Sequence, residues 1–290
     1  MNLQPAQSGK ELNNLPLMEE LIQERNVVLF NSEIRNKNIS FAFKEGTYPP
    51  SLESHYSRGV AYYQSGDLKK AVNAWEETVK LFPEDADTYL SLGIVYIQLD
   101  KFYKALKCLN KGIRLSADAS DAHYYLGYTH YKLQHWQQAE IAFEQAIEIN
   151  KKDVASYFSL ALMYVEMAYR KKSKKEKCFN KAFEICKRLV ENNRLNKADL
   201  NDLGMIYNWL GKLEEAEKVL EKALKLDPND AAVLNNLRLV KENQLEQKLF
   251  EIGLLKRINE PITDFTPYKK RVPIKVKGKP ISETIIEERR

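Results

Sequence analysis

Apolar residues along this chain recur at intervals of three and four, not in alternation. Between residues 52 and 230 the apolar stretches are separated by short breaks such as Gln64-Ser65-Gly66-Asp67 and Leu210-Gly211-Lys212. Spacing near 3.6 residues marks amphipathic helices. The pattern therefore predicts pairs of helices joined by tight turns.

The pattern also repeats. Gly59, Gly93 and Gly127 are each 34 residues apart, and Ala161 is the next step. Tyr62, Tyr96, His130 and Tyr164 follow these positions by three residues, and Ala71, Ala105 and Ala139 share the period. The phase then slips by nine residues, and Ala182, Gly204, Tyr207 and Ala216 resume it. Pro83 and Pro228 close the first and last units. A glycine inside a helix costs about 1 kcal/mol relative to alanine, so its recurrence needs a packing reason. The small residue lets the first helix of a unit approach the second, and the repeating alanine does so from the other side. Trp75, Leu109, Phe143 and Leu220 are the bulky residues that fill the gaps. One such unit cannot bury its apolar face alone, so neighbours stack into a quasi-one-dimensional array.

Several of these positions recurring together resemble the tetratricopeptide repeat (TPR): an aromatic, Leu-Gly, Tyr, Ala, Phe, then Pro. The resemblance covers residues 52–230. His55 or His123 stands where Trp is usual, Cys186 where Phe is usual, and Ala117, Lys151 and Arg194 where Pro is usual. It implies an all-α, right-handed α-solenoid of five helix-turn-helix units: 52–85, 86–119, 120–153, 154–196 and 197–230. The fourth carries the nine extra residues, which either lengthen both helices or form a basic loop around 168–178.

Residues 231–258 keep helical spacing at Leu234, Leu237, Val240, Leu245, Leu249 and Ile252, as a helix capping the array would. Residues 259–290 mix Pro, Lys, Thr and Ile without period and read as an extended or disordered tail. Residues 1–51 hold one amphipathic segment, Leu15 to Leu29, and a poorly patterned linker.

The resemblance also implies a binding face. In TPR proteins the fifth, ninth and twelfth positions of each unit line a concave surface. Here these are Tyr56, Val60 and Tyr63; Leu90, Ile94 and Ile97; Tyr124, Tyr128 and Tyr131; Phe158, Leu162 and Val165; and Asn201, Met205 and Asn208. The expected groove is aromatic and aliphatic, and such a strip marks an interaction surface when exposed; packing against neighbouring helices is the alternative. The TPR subclass that grips a chain-terminal carboxylate needs Lys and Asn where this chain has Tyr56, Val60, Ser91, Asp121 and Tyr125. The expected ligand is thus an apolar or amphipathic protein segment, not an acidic terminus. The Leu17–Phe30 segment has that character, which would allow self-association or occupation of the groove in cis.

Composition adds bounds. The 290 residues are 44% hydrophobic and 29% charged, and Gly (11) and Pro (10) are scarce. No stretch approaches the roughly 18 apolar residues of a membrane span. The N-terminal sequence lacks a signal-peptide pattern, so a cytoplasmic protein is expected. The net charge of +5 matches that of residues 256–290, which hold ten Lys or Arg and five Asp or Glu. The repeat region is therefore electrically balanced. Two basic clusters, Arg170 to Lys177 and Lys269 to Lys279, offer a salt-sensitive attraction to nucleic acid or an anionic membrane. The bland reading is a solvated loop and a solubilising tail.

Catalytic chemistry finds little support. Of four histidines, His123 and His130 lie seven apart on one helix face but fill repeat positions normally aromatic. Three cysteines give no disulfide framework and no zinc spacing. No Gly-rich phosphate loop, GxSxG or HExxH occurs. No enzyme activity, metal or cofactor is expected. The leading reading is an interaction scaffold or adaptor, with a TPR-type chaperone as the alternative.

Overall fold

The computed structural model describes residues 50–116, 119–170 and 172–252. The described residues form eleven α-helices. They pair as α1 (Pro50–Gln64) with α2 (Leu68–Leu81), α3 (Ala86–Gln98) with α4 (Phe102–Leu115), α5 (Ser120–Lys132) with α6 (Trp136–Ile149), α7 (Val154–Arg170) with α8 (Lys175–Asn192), and α9 (Lys197–Trp209) with α10 (Leu213–Leu226). The unpaired α11 (Ala231–Glu251) follows. The segments 1–49 and 253–290, with the expected N-terminal helix and basic tail, lie outside the described residues.

Local chemistry sets the helix ends. Proline is tolerated at the first position of α1 because its missing N–H would have no partner there. Asp67, Asp85 and Asp230 each accept a backbone N–H from the first turn of α2, α3 and α11. Asn196 and Asp199 form a reciprocal capping box on α9. The turn inside four of the units places one residue in the left-handed region: Gly66 (φ 79°), Asp100 (φ 54°), Gln134 (φ 59°) and Gly211 (φ 71°). The next N–H then reaches back to the carbonyl five residues earlier, as Asp67 N does to Tyr62 O at 2.9 Å and Lys212 N to Tyr207 O at 2.8 Å. This is the Schellman closure, which satisfies the orphan carbonyls of the first helix.

The glycine register packs each pair. A methyl group added at Gly59 would sit 2.3 Å from Trp75 Nε1, at Gly93 2.6 Å from Leu109 Cδ2, at Gly127 2.7 Å from Phe143 Cδ1, and at Gly204 2.6 Å from Leu220 Cγ. All four partners are fully buried. The fourth unit fills the same two registers differently, with Ala161 at the glycine register and the smaller Cys186 at the bulky one, both buried. Its nine extra residues are absorbed mostly by the helices: α7 has 17 residues against 13 in α3, and α8 has 18 against 14 in α4. The 3-10 turn Lys172–Lys174 leads from one to the other.

Helices pack chiefly against their sequence neighbours. The first helices also meet along a continuous seam, α3 with α5, α5 with α7, α7 with α9 and α9 with α11.

Candidate interaction face

That seam is built by hydrogen bonds at one fixed separation. Tyr56 and Ser91 hydroxyls lie 3.0 Å apart. Gln98 Nε2 donates to Tyr63 Oη at 2.8 Å, and the Tyr131 hydroxyl donates to Glu166. Asn236 Nδ2 donates to Asn201 Oδ1 at 2.7 Å, and Asn243 Nδ2 to Asn208 Oδ1 at 2.9 Å. Every pair is 35 residues apart. The fifth and twelfth positions of one unit therefore turn towards the sixth and thirteenth of the next. Glu166, 1% exposed, keeps its charge compensated by Arg170, whose Nε donates to it at 2.9 Å. A buried carboxylate without such a partner would be strongly destabilising.

This geometry places the fifteen expected groove residues in two groups. Tyr56, Ile94, Ile97, Tyr124, Tyr128, Tyr131, Phe158, Leu162 and Val165 are buried. Val60, Tyr63, Leu90, Asn201, Met205 and Asn208 are half-buried. The strip is therefore not open along its length, and its accessible members lie at the first two units and the fifth. The physical reason is the seam itself: large side chains at the fifth and twelfth positions bond across to the neighbouring first helix. Ser91 is buried and donates to Asp87 O at 2.7 Å, a structural role and not that of a carboxylate clamp. The seam partners Gln98, Glu166, Asn236 and Asn243 were not singled out from the sequence. The signal that finds them is the pairing of polar residues at a spacing of 35.

Other expected candidates have structural settings. His123 is buried, and His130 is half-buried with its ring 5.7 Å from His135. Burial, then the neighbouring imidazole, holds His130 below the usual histidine range. Burial pushes the Cys108 thiol up to about 11, and Cys178 and Cys186 are buried. Among the described residues no group of three or more His, Cys, Asp or Glu is placed to hold a metal ion, and no helix is long and apolar enough to cross a membrane. In the basic insert, Arg170 lies over the Trp136 ring and Lys175 over Tyr169 and Phe179. These two cations serve packing as well as solvation.

Helix pairs closed by a glycine against a bulky residue, with first helices stacked along one seam, define an α-solenoid of the TPR type. The family model of the coatomer epsilon subunit matches residues 8–249, and the chain belongs to that family. No curated protein matches the sequence. Among solved structures, a MamA protein is 24% identical, with 62% of this chain and 93% of that chain covered at a TM-score of 0.50. MamA 41-end from Desulfovibrio magneticus RS-1 is 16% identical, with 63% and 98% covered at a TM-score of 0.51. At these identities the likeness is one of fold.

Proposed function

We propose that this protein is a non-catalytic subunit that holds a segment of another polypeptide on its first-helix face. The observation that carries the reading is the distribution of exposure along the seam. Buried tyrosines and aliphatics form a rigid floor. Half-buried Val60, Tyr63 and Leu90 at one end, and Asn201, Met205 and Asn208 at the other, offer apolar contact flanked by amide groups. A pre-organised surface of this kind binds without ordering itself first. Membership of a family described as a coat subunit supports a role inside an assembly.

The test is comparative affinity purification with the full chain. A Val60→Glu/Leu90→Glu variant and a Met205→Glu variant place charge on half-buried positions. Partners retained by the wild type and lost in both, with unchanged circular dichroism and melting, support the reading. A partner set indifferent to both variants refutes it.

A further inference from the structure

The second helices carry a feature that the first-helix face does not use. Between α6 and α8 runs a furrow lined by Tyr164, Glu140, Glu144, Lys181 and Arg188. Its charges are paired. Lys181 Nζ lies 2.8 Å from Glu140 Oε1, and Arg188 makes a two-pronged contact with Glu144 at 2.9 and 3.0 Å. Both cations also lie over tyrosine rings, Lys181 4.8 Å from the Tyr164 centroid and Arg188 5.7 Å from that of Tyr157.

The same furrow is built two units earlier, between α2 and α4. Tyr89 and Tyr96 stand at the registers of Tyr157 and Tyr164. Lys104 and Lys111 stand at those of Lys181 and Arg188, once the nine added residues are counted. The stacking is reproduced: Lys104 lies 5.3 Å from the Tyr96 ring centroid and Lys111 6.0 Å from that of Tyr89.

The carboxylates are what differ. Val72, 8% exposed, occupies the register of Glu140. Glu76 occupies that of Glu144 but accepts the Tyr96 hydroxyl. Among the described residues Lys111 reaches Glu84 alone, at 3.6 Å. Lys104, Lys107 and Arg114 pair with no carboxylate among the described residues. Helix α4 carries these four cations and no acid, whereas α6 carries Glu140, Glu144 and Glu148 and no base. The four follow one another at intervals of three and four, a stripe of about 15 Å. The floor, with Val79, Leu92 and Cys108, is apolar, and the cavity measures about 500 Å³.

We infer that the α2–α4 furrow docks an acidic amphipathic helical segment of a partner protein, its carboxylates one turn apart. The segment supplies to Lys104 and its neighbours what α6 supplies to α8. Lys104, held over the Tyr96 ring, has no carboxylate partner among the described residues, and Lys107 and Arg114 extend the same unpaired stripe, so the furrow favours an anionic partner. The apolar floor favours a segment with aliphatic side chains between its acids over a bare anion. This site lies between the second helices, with Tyr89, Leu92 and Tyr96 of α3 in its lining, and uses none of the fifth, ninth and twelfth positions of the first-helix face.

The probe is a fluorescein-labelled peptide copying residues 136–149, read by fluorescence anisotropy against the full chain. Saturable binding is expected. Lys104→Glu/Lys107→Glu should weaken it by about tenfold or more, as charge pairing at an interface does. The milder Lys104→Gln/Lys107→Gln should act in the same direction, and both changes are at exposed positions. Val72→Glu, which places a carboxylate at the register of Glu140, should weaken binding too. A peptide carrying Glu140→Gln and Glu144→Gln should bind poorly. No binding by the wild type, or affinity unchanged in the lysine variants, overturns the inference. Full displacement by inorganic phosphate overturns it in favour of a small-anion site. Loss of peptide binding in Val60→Glu/Leu90→Glu overturns it by placing the segment on the first-helix face.

Discussion

Replacing Gly93 by alanine sets helix propensity directly against packing. Propensity alone favours alanine by about 1 kcal/mol in a helix interior. Here the new methyl carbon would stand 2.6 and 2.7 Å from Leu109 Cδ2 and Cγ, where ordinary contact begins at 3.4 Å. Leu109 is fully buried. Helices α3 and α4 must part by some tenths of an ångström, and overpacking of this kind costs about 1–3 kcal/mol. The net expectation is a loss of about 1 kcal/mol, the packing cost exceeding the propensity gain. Leu109→Cys alone removes buried aliphatic carbon and should cost about 2 kcal/mol. The fourth unit contains the combination that relieves both, Ala161 at the glycine register and Cys186 at the bulky one. The double variant Gly93→Ala/Leu109→Cys should therefore be more stable than the sum of its parts by about 1–2 kcal/mol. Urea unfolding followed by circular dichroism gives all four corners of the cycle, provided the slope with denaturant is unchanged. A single alanine variant that is stabilised, or a cycle that adds to within about 0.5 kcal/mol, would refute the steric account.

Three further changes test other parts of the fold. Gln134 holds φ 59° where Gly66 and Gly211 serve in other units, so Gln134→Gly should raise stability by about 1 kcal/mol, read as a shift in the urea midpoint. His130 is held below its ordinary range when folded, so the unfolded chain takes the proton first. Its contribution is complete above about pH 6.5 and is lost as the pH falls below that value. The drop in melting temperature between about pH 7.5 and pH 5.5 should shrink in His130→Tyr, which installs the residue found at this register in the other four units. Asn243→Ala breaks the bond to Asn208; it should cost about 1 kcal/mol and speed hydrogen exchange in α11 ahead of α3 to α6.

The sequence makes the pairing of helices within a unit legible because that contact is steric and lies at fixed residues. Gly59, Gly93, Gly127 and Gly204 announce it, and Trp75, Leu109, Phe143 and Leu220 answer it sixteen residues later. The relation between units is less legible. Whether Tyr131 faces the lumen or Glu166 depends on the rotation of one unit against the next, which period alone does not encode. At this step the structure takes the packed alternative for Tyr124, Tyr128 and Tyr131, which are buried. The insert is legible as nine residues but not in its division, because no glycine or proline between Ala161 and Ala182 marks where α7 ends.

The end of the array follows from the same two registers. Helix α11 keeps the inward half of a first helix: Val233 and Val240 are buried, and Asn236 and Asn243 continue the ladder from α9. Its outward half is rewritten. Arg238 stands at the glycine register, while Lys241, at the tyrosine register, reaches back to Glu217 of α10 at 3.5 Å. In the units with glycine there, even a methyl group would collide with the second helix, so a guanidinium excludes any helix docking as α2, α4, α6 or α10 do. Leu234 and Leu245 on that outward half remain 45% and 58% exposed. A solenoid stops when its last face no longer templates the next unit, and α11, the last described helix, presents such a face at Arg238.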